Sequence, residues 1–180
     1  MSGLSLVDKM RVIHERLNAA ELPHAFGGAL ALAWCTQQAR GTIDLDVNVF
    51  VGPDHLEALL AALPRPVAVS ASDRRLLARD GQARLWWDTT PVDVFLNTTP
   101  FHDEVAERIR REPFDGTDMP FLSCEDLAVF KAFFNRTKDW ADLEAMRDAG
   151  TLDVAAVAGV LVTFLGADDD RVERLLKLAR

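Results

Sequence analysis

Cysteine is scarce in this 180-residue chain, with Cys35 and Cys124 the only two. They form no C-x-x-C pair and have no neighbouring histidine, so the sequence carries no zinc-type ligand set. Both are expected as small buried apolar residues, and so low a count fits a reducing cytosol. Long apolar runs are lacking too. The longest stretch, Val154 to Leu165, is interrupted by Gly159 and Thr163 and is too short to span a bilayer. The first twenty residues scatter their charges and have no continuous apolar segment, unlike a secretory signal. A cytoplasmic protein with no membrane partner is therefore expected. Positive charge is in deficit: 20 Lys and Arg against 28 Asp and Glu leave a net charge of −8. That balance excludes a broad phosphate-gripping surface, and no duplex DNA is expected as a partner. Internal repeats and low-complexity segments are also absent.

The composition that remains, 49% hydrophobic and 27% charged, is that of a globular chain able to bury a core. Leu6, Met10, Ile13 and Leu17 recur at helical spacing between Ser5 and Ala20, and Leu22-Pro23 ends that helix. A short extended segment, His24-Ala25-Phe26, leads into Gly27-Gly28, and Ala29 to Gln37 reads as a helix. Thr42 to Val51 is the clearest strand. Ile43, Leu45, Val47 and Val49 lie on one face of it, and Thr42, Asp44, Asp46 and Asn48 on the other. A helix follows from His55 to Leu63.

Strands are then predicted at Val67 to Val69, Leu76 to Arg79, Ala83 to Trp87 and Val92 to Leu96, with Asp80-Gly81 as a hairpin turn. Glu104 to Arg111 reads as a short helix, and Arg111 to Pro120 as a surface loop or linker. Only helices follow, near Glu125 to Asn135 (with Ser123 and Asp126 at capping spacing), Lys138 to Ala149, Val154 to Leu165 and Asp169 to Leu178. This order predicts an α+β fold. A mixed β-sheet flanked by helices occupies residues 1–112, and a C-terminal helical region, residues 113–180, packs on it.

Strand alternation sets Asp44 and Asp46 on one face, with Cα atoms roughly 6.5–7 Å apart. Two like charges held there repel unless a cation neutralises them, and Mg²⁺ uses one or two carboxylates together with substrate phosphates. Taken alone, the pair is equally a solvated strand face. Asp93 sharpens the choice. It stands at the centre of the apolar strand Val92 to Leu96, where Asp is a poor strand former and a lone carboxylate needs a partner. If that strand lies beside the first, three carboxylates can hold two metal ions about 3.5–4 Å apart. Upstream, Gly27-Gly28 permits positive φ and close backbone approach, and the helix that follows offers free N–H groups to phosphate.

Together, Gly27-Gly28-Ala29-Leu30, Arg40-Gly-Thr42-Ile-Asp44-Leu-Asp46 and Val92-Asp93-Val94 resemble the nucleotidyltransferase superfamily that includes DNA polymerase β. The resemblance is to its small bacterial branch, which holds antibiotic nucleotidyltransferases and abortive-infection-type toxins. Leu122-Ser-Cys-Glu125-Asp126-Leu127 through Lys131, and Arg136-Thr-Lys138-Asp139 through Leu143, look like the toxin branch. The resemblance implies a metal-binding triad of Asp44, Asp46 and Asp93 holding Mg²⁺ or Mn²⁺, and a glycine motif against the triphosphate of an NTP. It also implies a phosphate contact for Lys131 and a supporting role for Asp139. Ala29 departs from the family pattern, which usually has Ser after the two glycines.

The expected reaction is transfer of a nucleoside monophosphate from an NTP to an acceptor hydroxyl, with Asp93 also a candidate base. Gly27, Gly28 and Lys131 are candidate phosphate contacts. Arg40, Thr42 and Arg136 are candidates for orienting the carboxylates or touching phosphate. The acceptor is open among tRNA, a protein and a small molecule such as an aminoglycoside or lincosamide, and an antitoxin partner follows if the toxin branch applies. The competing reading is a non-catalytic interaction domain of the same fold. A phosphohydrolase is disfavoured, because His14, His24, His55 and His102 form no H-D pair.

Overall fold

The computed structural model describes residues 3–179 of the chain. The strands are β1 (His24–Phe26), β2 (Leu45–Val49), β3 (Val67–Ala68), β4 (Gln82–Trp87), β5 (Thr90–Leu96), β6 (Arg110–Phe114) and β7 (Thr117–Phe121). The helices are α1 (Leu6–Ala19), α2 (Gly28–Thr36), α3 (Leu56–Ala62), α4 (Ala71–Asp80), α5 (Phe101–Glu107), α6 (Cys124–Phe134), α7 (Thr137–Asp148), α8 (Val154–Leu165) and α9 (Asp170–Lys177). They fall into two compact units, one ending at Gly28 and resuming at Gly41–Leu122, the other made of Ala29–Arg40 and the chain from Ser123 onward. The fold is α+β, as the order of sequence patterns predicts.

The first unit holds a seven-stranded mixed sheet in the order β3-β4-β5-β2-β1-β7-β6. The pairs β2–β5 and β1–β7 are parallel and the others antiparallel. Leu45, Val47, Val49, Val92, Val94 and Leu96 are buried, which fixes the strand register, because a slip of one residue would expose all of them. Buried Lys9 on α1 secures the β4–β5 hairpin: its ammonium donates to the Trp87 carbonyl at 2.9 Å and to Thr90 Oγ1 at 3.0 Å.

Several sequence expectations change here. Leu76 to Arg79 is not a strand but part of α4, whose start is fixed by the reciprocal cap between Ser70 and Asp73. Gly81, with φ +67°, ends that helix instead of turning a hairpin. The hairpin turn lies at Asp88-Thr89, between β4 and β5. The stretch expected as a linker, Arg111 to Pro120, is the β6–β7 hairpin, turned by Asp115-Gly116 with φ of 48° and 75°. Two consecutive residues at positive φ suit the primed hairpin turns, and Asp-Gly meets that need. Since β7 pairs with β1, this hairpin joins the sheet, and the first unit runs to Leu122 rather than to residue 112. Ile43, expected on the core face, is 72% exposed because β2 begins only at Leu45. Of the adjacent tryptophans, Trp87 is buried and Trp86 is 46% exposed.

Two buried histidines link α1 to β1. His14 Nδ1 lies 2.8 Å from His24 Nε2, Asn18 Nδ2 lies 3.0 Å from His14 Nε2, and His24 Nδ1 lies 2.8 Å from the Leu22 carbonyl. With both rings neutral, one proton arrangement satisfies all three contacts: Asn18 donates to His14, His14 to His24, and His24 to Leu22. Burial disfavours the charged rings, lowering both from their ordinary value and His24 to about 4.

In the second unit, buried Trp140 on α7 donates from Nε1 to Asn135 Oδ1 at 2.7 Å, and the Arg174 guanidinium lies 4.3 Å over its ring. Cys35 on α2 and Cys124 at the start of α6 form a disulfide, with Cα atoms 5.6 Å apart. This corrects the expectation that both are unpaired apolar residues, and it removes the cysteine count as an argument for a reducing compartment. A separation of 89 residues left no sequence signal for the pairing.

The unfolded chain protonates His24 below its ordinary value near 6.5, while the folded chain resists until about 4. Stability should therefore be full at neutral pH and fall between those two values. The expected loss at pH 4.5 is about 2–3 kcal/mol, read as urea midpoints at pH 7 and 4.5, and it should be smaller by that amount in His24→Gln. Opening the disulfide, by Cys35→Ala or a reductant, releases a long loop and should lower the thermal midpoint by about 5–10 °C in scanning calorimetry.

Candidate active site

In the first unit, strand register gathers the carboxylates. Asp46 on β2 is directly beside Asp93 on β5, and Arg84 on β4 is directly across from Asp93 on its other side. The three form one row across three strands. Asp44 sits just before β2, where its N–H donates to Thr42 Oγ1 at 3.1 Å. Thr42 thus shapes the approach to the strand.

Arg84 grips the carboxylates with a planar fork. Its Nε reaches Asp93 Oδ1 at 2.8 Å and its Nη2 reaches Asp93 Oδ2 at 2.7 Å, while Nη2 also meets Asp44 Oδ2 at 3.3 Å. The Asp93 hydrogen bonds hold the guanidinium above its ordinary pKa range, with Asp44 and Asp46 adding electrostatic support. The sequence marks Arg84 only weakly. Its only signal there is distance from the turn: Arg84 and Asp93 face each other once the hairpin is centred on Asp88-Thr89, not on Asp80-Gly81.

The glycines stand against Asp46. The Gly27 N–H donates to the Asp46 carbonyl at 2.9 Å. Gly28 has φ +56°, and a Cβ there would come within 1.9 Å of Asp46 Oδ2 and 2.5 Å of its Cγ. Only glycine leaves that carboxylate its position. Among the described residues, no three His, Cys, Asp or Glu side chains converge closely enough to hold a metal ion. The donors nevertheless suit a hard divalent cation in kind: all are carboxylate oxygens, Asp46 and Asp93 on adjacent strands and Asp44 just before β2, with a neighbour kept small at Gly28.

The remaining candidates, Arg40, Lys131, Arg136 and Asp139, come together in the second unit, with Asp142 added. Lys131 Nζ meets Asp142 Oδ2 at 2.7 Å and lies 4.0 Å from Asp139 Oδ1. Arg40 Nη1 binds Asp142 Oδ1 at 2.6 Å, and Arg136 Nε binds Asp139 Oδ2 at 2.7 Å. Lys131, Asp139 and Asp142 are buried, whereas the Arg40 and Arg136 side chains are each 54% exposed. Lys131, read from sequence as a cation aimed at phosphate, has its ammonium held by Asp142. The exposed ends of Arg40 and Arg136 stand at the edges of this buried network.

No family model matches the chain, and no curated protein matches it in sequence. Its fold does match solved structures. The antibiotic-resistance factor ANT(2″)-Ia in solution shares 16% identity at a TM-score of 0.57, over 97% of this chain and 90% of that one. The same factor in complex with adenylyl-2″-tobramycin shares 15% identity at 0.54, over 96% of each chain. An antigenic nucleotidyltransferase-like protein from Paracoccidioides brasiliensis shares 14% identity at 0.52, over 98% of this chain and 88% of that one. The fold is thus the one seen in nucleotidyltransferases, as its mixed sheet with flanking helices indicates.

Replacing Gly28 tests the close approach to Asp46. Gly28→Ala should cost about 1–3 kcal/mol through its left-handed backbone and turn the Asp46 carboxylate away. Denaturation would register the first effect, and a shifted Asp46 side-chain carboxyl resonance in NMR the second.

Proposed function

We propose that this chain is a nucleotidyltransferase that moves a nucleoside monophosphate from an NTP to an acceptor hydroxyl. The observation carrying this reading is the row formed by Asp46 and Asp93 on adjacent strands, with Asp44 two residues before Asp46. Likeness of fold to an antibiotic-resistance factor, solved in complex with adenylyl-2″-tobramycin, agrees with it.

Asp44, Asp46 and Asp93 are the residues that would hold Mg²⁺ or Mn²⁺. The bound metal would neutralise phosphate charge and make the acceptor hydroxyl a better nucleophile. Gly27 and Gly28 admit the triphosphate close to the backbone. Arg40, Thr42, Lys131, Arg136 and Asp139 are the further nucleotide-site candidates, with exposed Arg40 and Arg136 the better suited to touch phosphate and buried Lys131 and Asp139 to support them. The acceptor oxygen bonds to the α-phosphorus, the bridge to the β-phosphate breaks, and pyrophosphate leaves. Asp93 takes the hydroxyl proton.

The strong acidity of the chain favours a small, cationic, hydroxyl-bearing acceptor such as an aminoglycoside over tRNA. Transfer to tRNA or a protein belongs to the toxin-branch reading, which rests on the motif from Glu125 to Leu143 and brings an antitoxin partner with it. A non-catalytic domain has one observation in its favour, the Arg84 fork on two of the three carboxylates.

Incubation with α-labelled NTPs and Mg²⁺, against aminoglycosides, lincosamides, total tRNA and proteins, discriminates these readings. Label should move to an aminoglycoside, stop with a chelator, and fall at least about a hundredfold in Asp46→Asn. Label on tRNA or protein would support the toxin branch. No transfer to any acceptor, with no NTP binding, would support the non-catalytic reading.

A further inference from the structure

Arg84 occupies the same oxygens that a divalent cation would need. Its Nε and Nη2 bind both oxygens of Asp93, and Nη2 also reaches Asp44. A guanidinium stays charged at any pH the protein tolerates, so only movement of the side chain can vacate those oxygens. Movement is open to it. The Arg84 side chain is 48% exposed, and it points from β4, whose outer neighbour β3 spans only Val67–Ala68, paired at Trp86 and Trp87.

Electrostatics explains why the fork forms. Three aspartates at adjacent positions repel one another, and a single bidentate cation offsets that repulsion in the metal-free chain. The cluster with Arg84 carries a net charge of −2. With Arg84 withdrawn it carries −3, a stronger field for a divalent ion.

We propose that Arg84 is a built-in counter-ion that holds Asp93 and Asp44 in the metal-free protein and competes with the divalent cation for their oxygens. The inference rests on the metal-site reading above. It makes Arg84 a positioning residue: it keeps the carboxylates gathered and sets how much metal is needed to load them.

Mn²⁺ titration of the full chain, by calorimetry and by electron paramagnetic resonance, tests this without using activity. Arg84→Gln should bind Mn²⁺ about three- to tenfold more tightly than wild type. Arg84→Lys, which keeps the charge but not the fork, should fall between. In a chelator, Arg84→Gln should melt about 2–4 °C lower than wild type, and Mn²⁺ should raise its midpoint by more. A merely structural ion pair would lower the midpoint and leave Mn²⁺ affinity unmoved. Wild-type binding that Asp46→Asn abolishes, combined with equal or weaker binding by Arg84→Gln, overturns the counter-ion role and leaves the metal site standing. Absence of Mn²⁺ binding in every variant overturns both.

Discussion

The register between β2, β5 and β4 is the constraint on which the site depends. It sets Asp46, Asp93 and Arg84 side by side in one row across the sheet. That register is held by apolar burial. Leu45, Val47 and Val49 interleave with Val92, Val94 and Leu96 on the opposite sheet face, and each is almost fully buried. The hydrophobic face thus decides where the charges go, since a shift of one residue would exchange the two faces. Lys9 adds to this from below the hairpin, holding the ends of β4 and β5 at Trp87 and Thr90.

The two units handle charge in opposite ways. In the first, the carboxylates Asp44, Asp46 and Asp93 outnumber the one guanidinium, Arg84, at a partly exposed sheet face. In the second, Lys131, Asp139 and Asp142 are buried and joined in one chain of ion pairs ending at Arg136 and Arg40. Buried charges are tolerated only when such partners are present, so this network has a structural role whatever it contacts. The disulfide strengthens the same unit by tying α2 to the start of α6.

Much of the architecture was legible in the sequence. Helices with clear apolar spacing or caps, such as α1, α6 and α8, appear within a residue or two of where their patterns put them. The errors cluster where a short apolar run could serve either element. Leu76-Leu77 has the pattern of a strand, but the Ser70–Asp73 cap makes it helical. The Asp115-Gly116 turn was hidden inside a polar stretch taken as a linker. Asp93 was legible because an acid in an apolar strand is costly without a partner, whereas Asp44 and Asp46 taken alone read equally as a solvated strand face. Arg84 was not legible, because an arginine on an exposed strand face carries no such signal.

The sequence by itself determined the chemistry on offer: which strand positions carry carboxylates, where glycine opens the backbone, and which segments are helical. Alternation and helical period are local properties, so they can be read along the chain. Tertiary structure alone decided the partners. Asp93 lies beside Asp46, Arg84 clasps Asp93, Lys131 turns to Asp142, and Cys35 meets Cys124 across 89 residues. Each of these depends on pairing between separate elements, some only nine or eleven residues apart and others far apart in the chain, and pairing is set by packing of the whole unit rather than by any pattern within one segment.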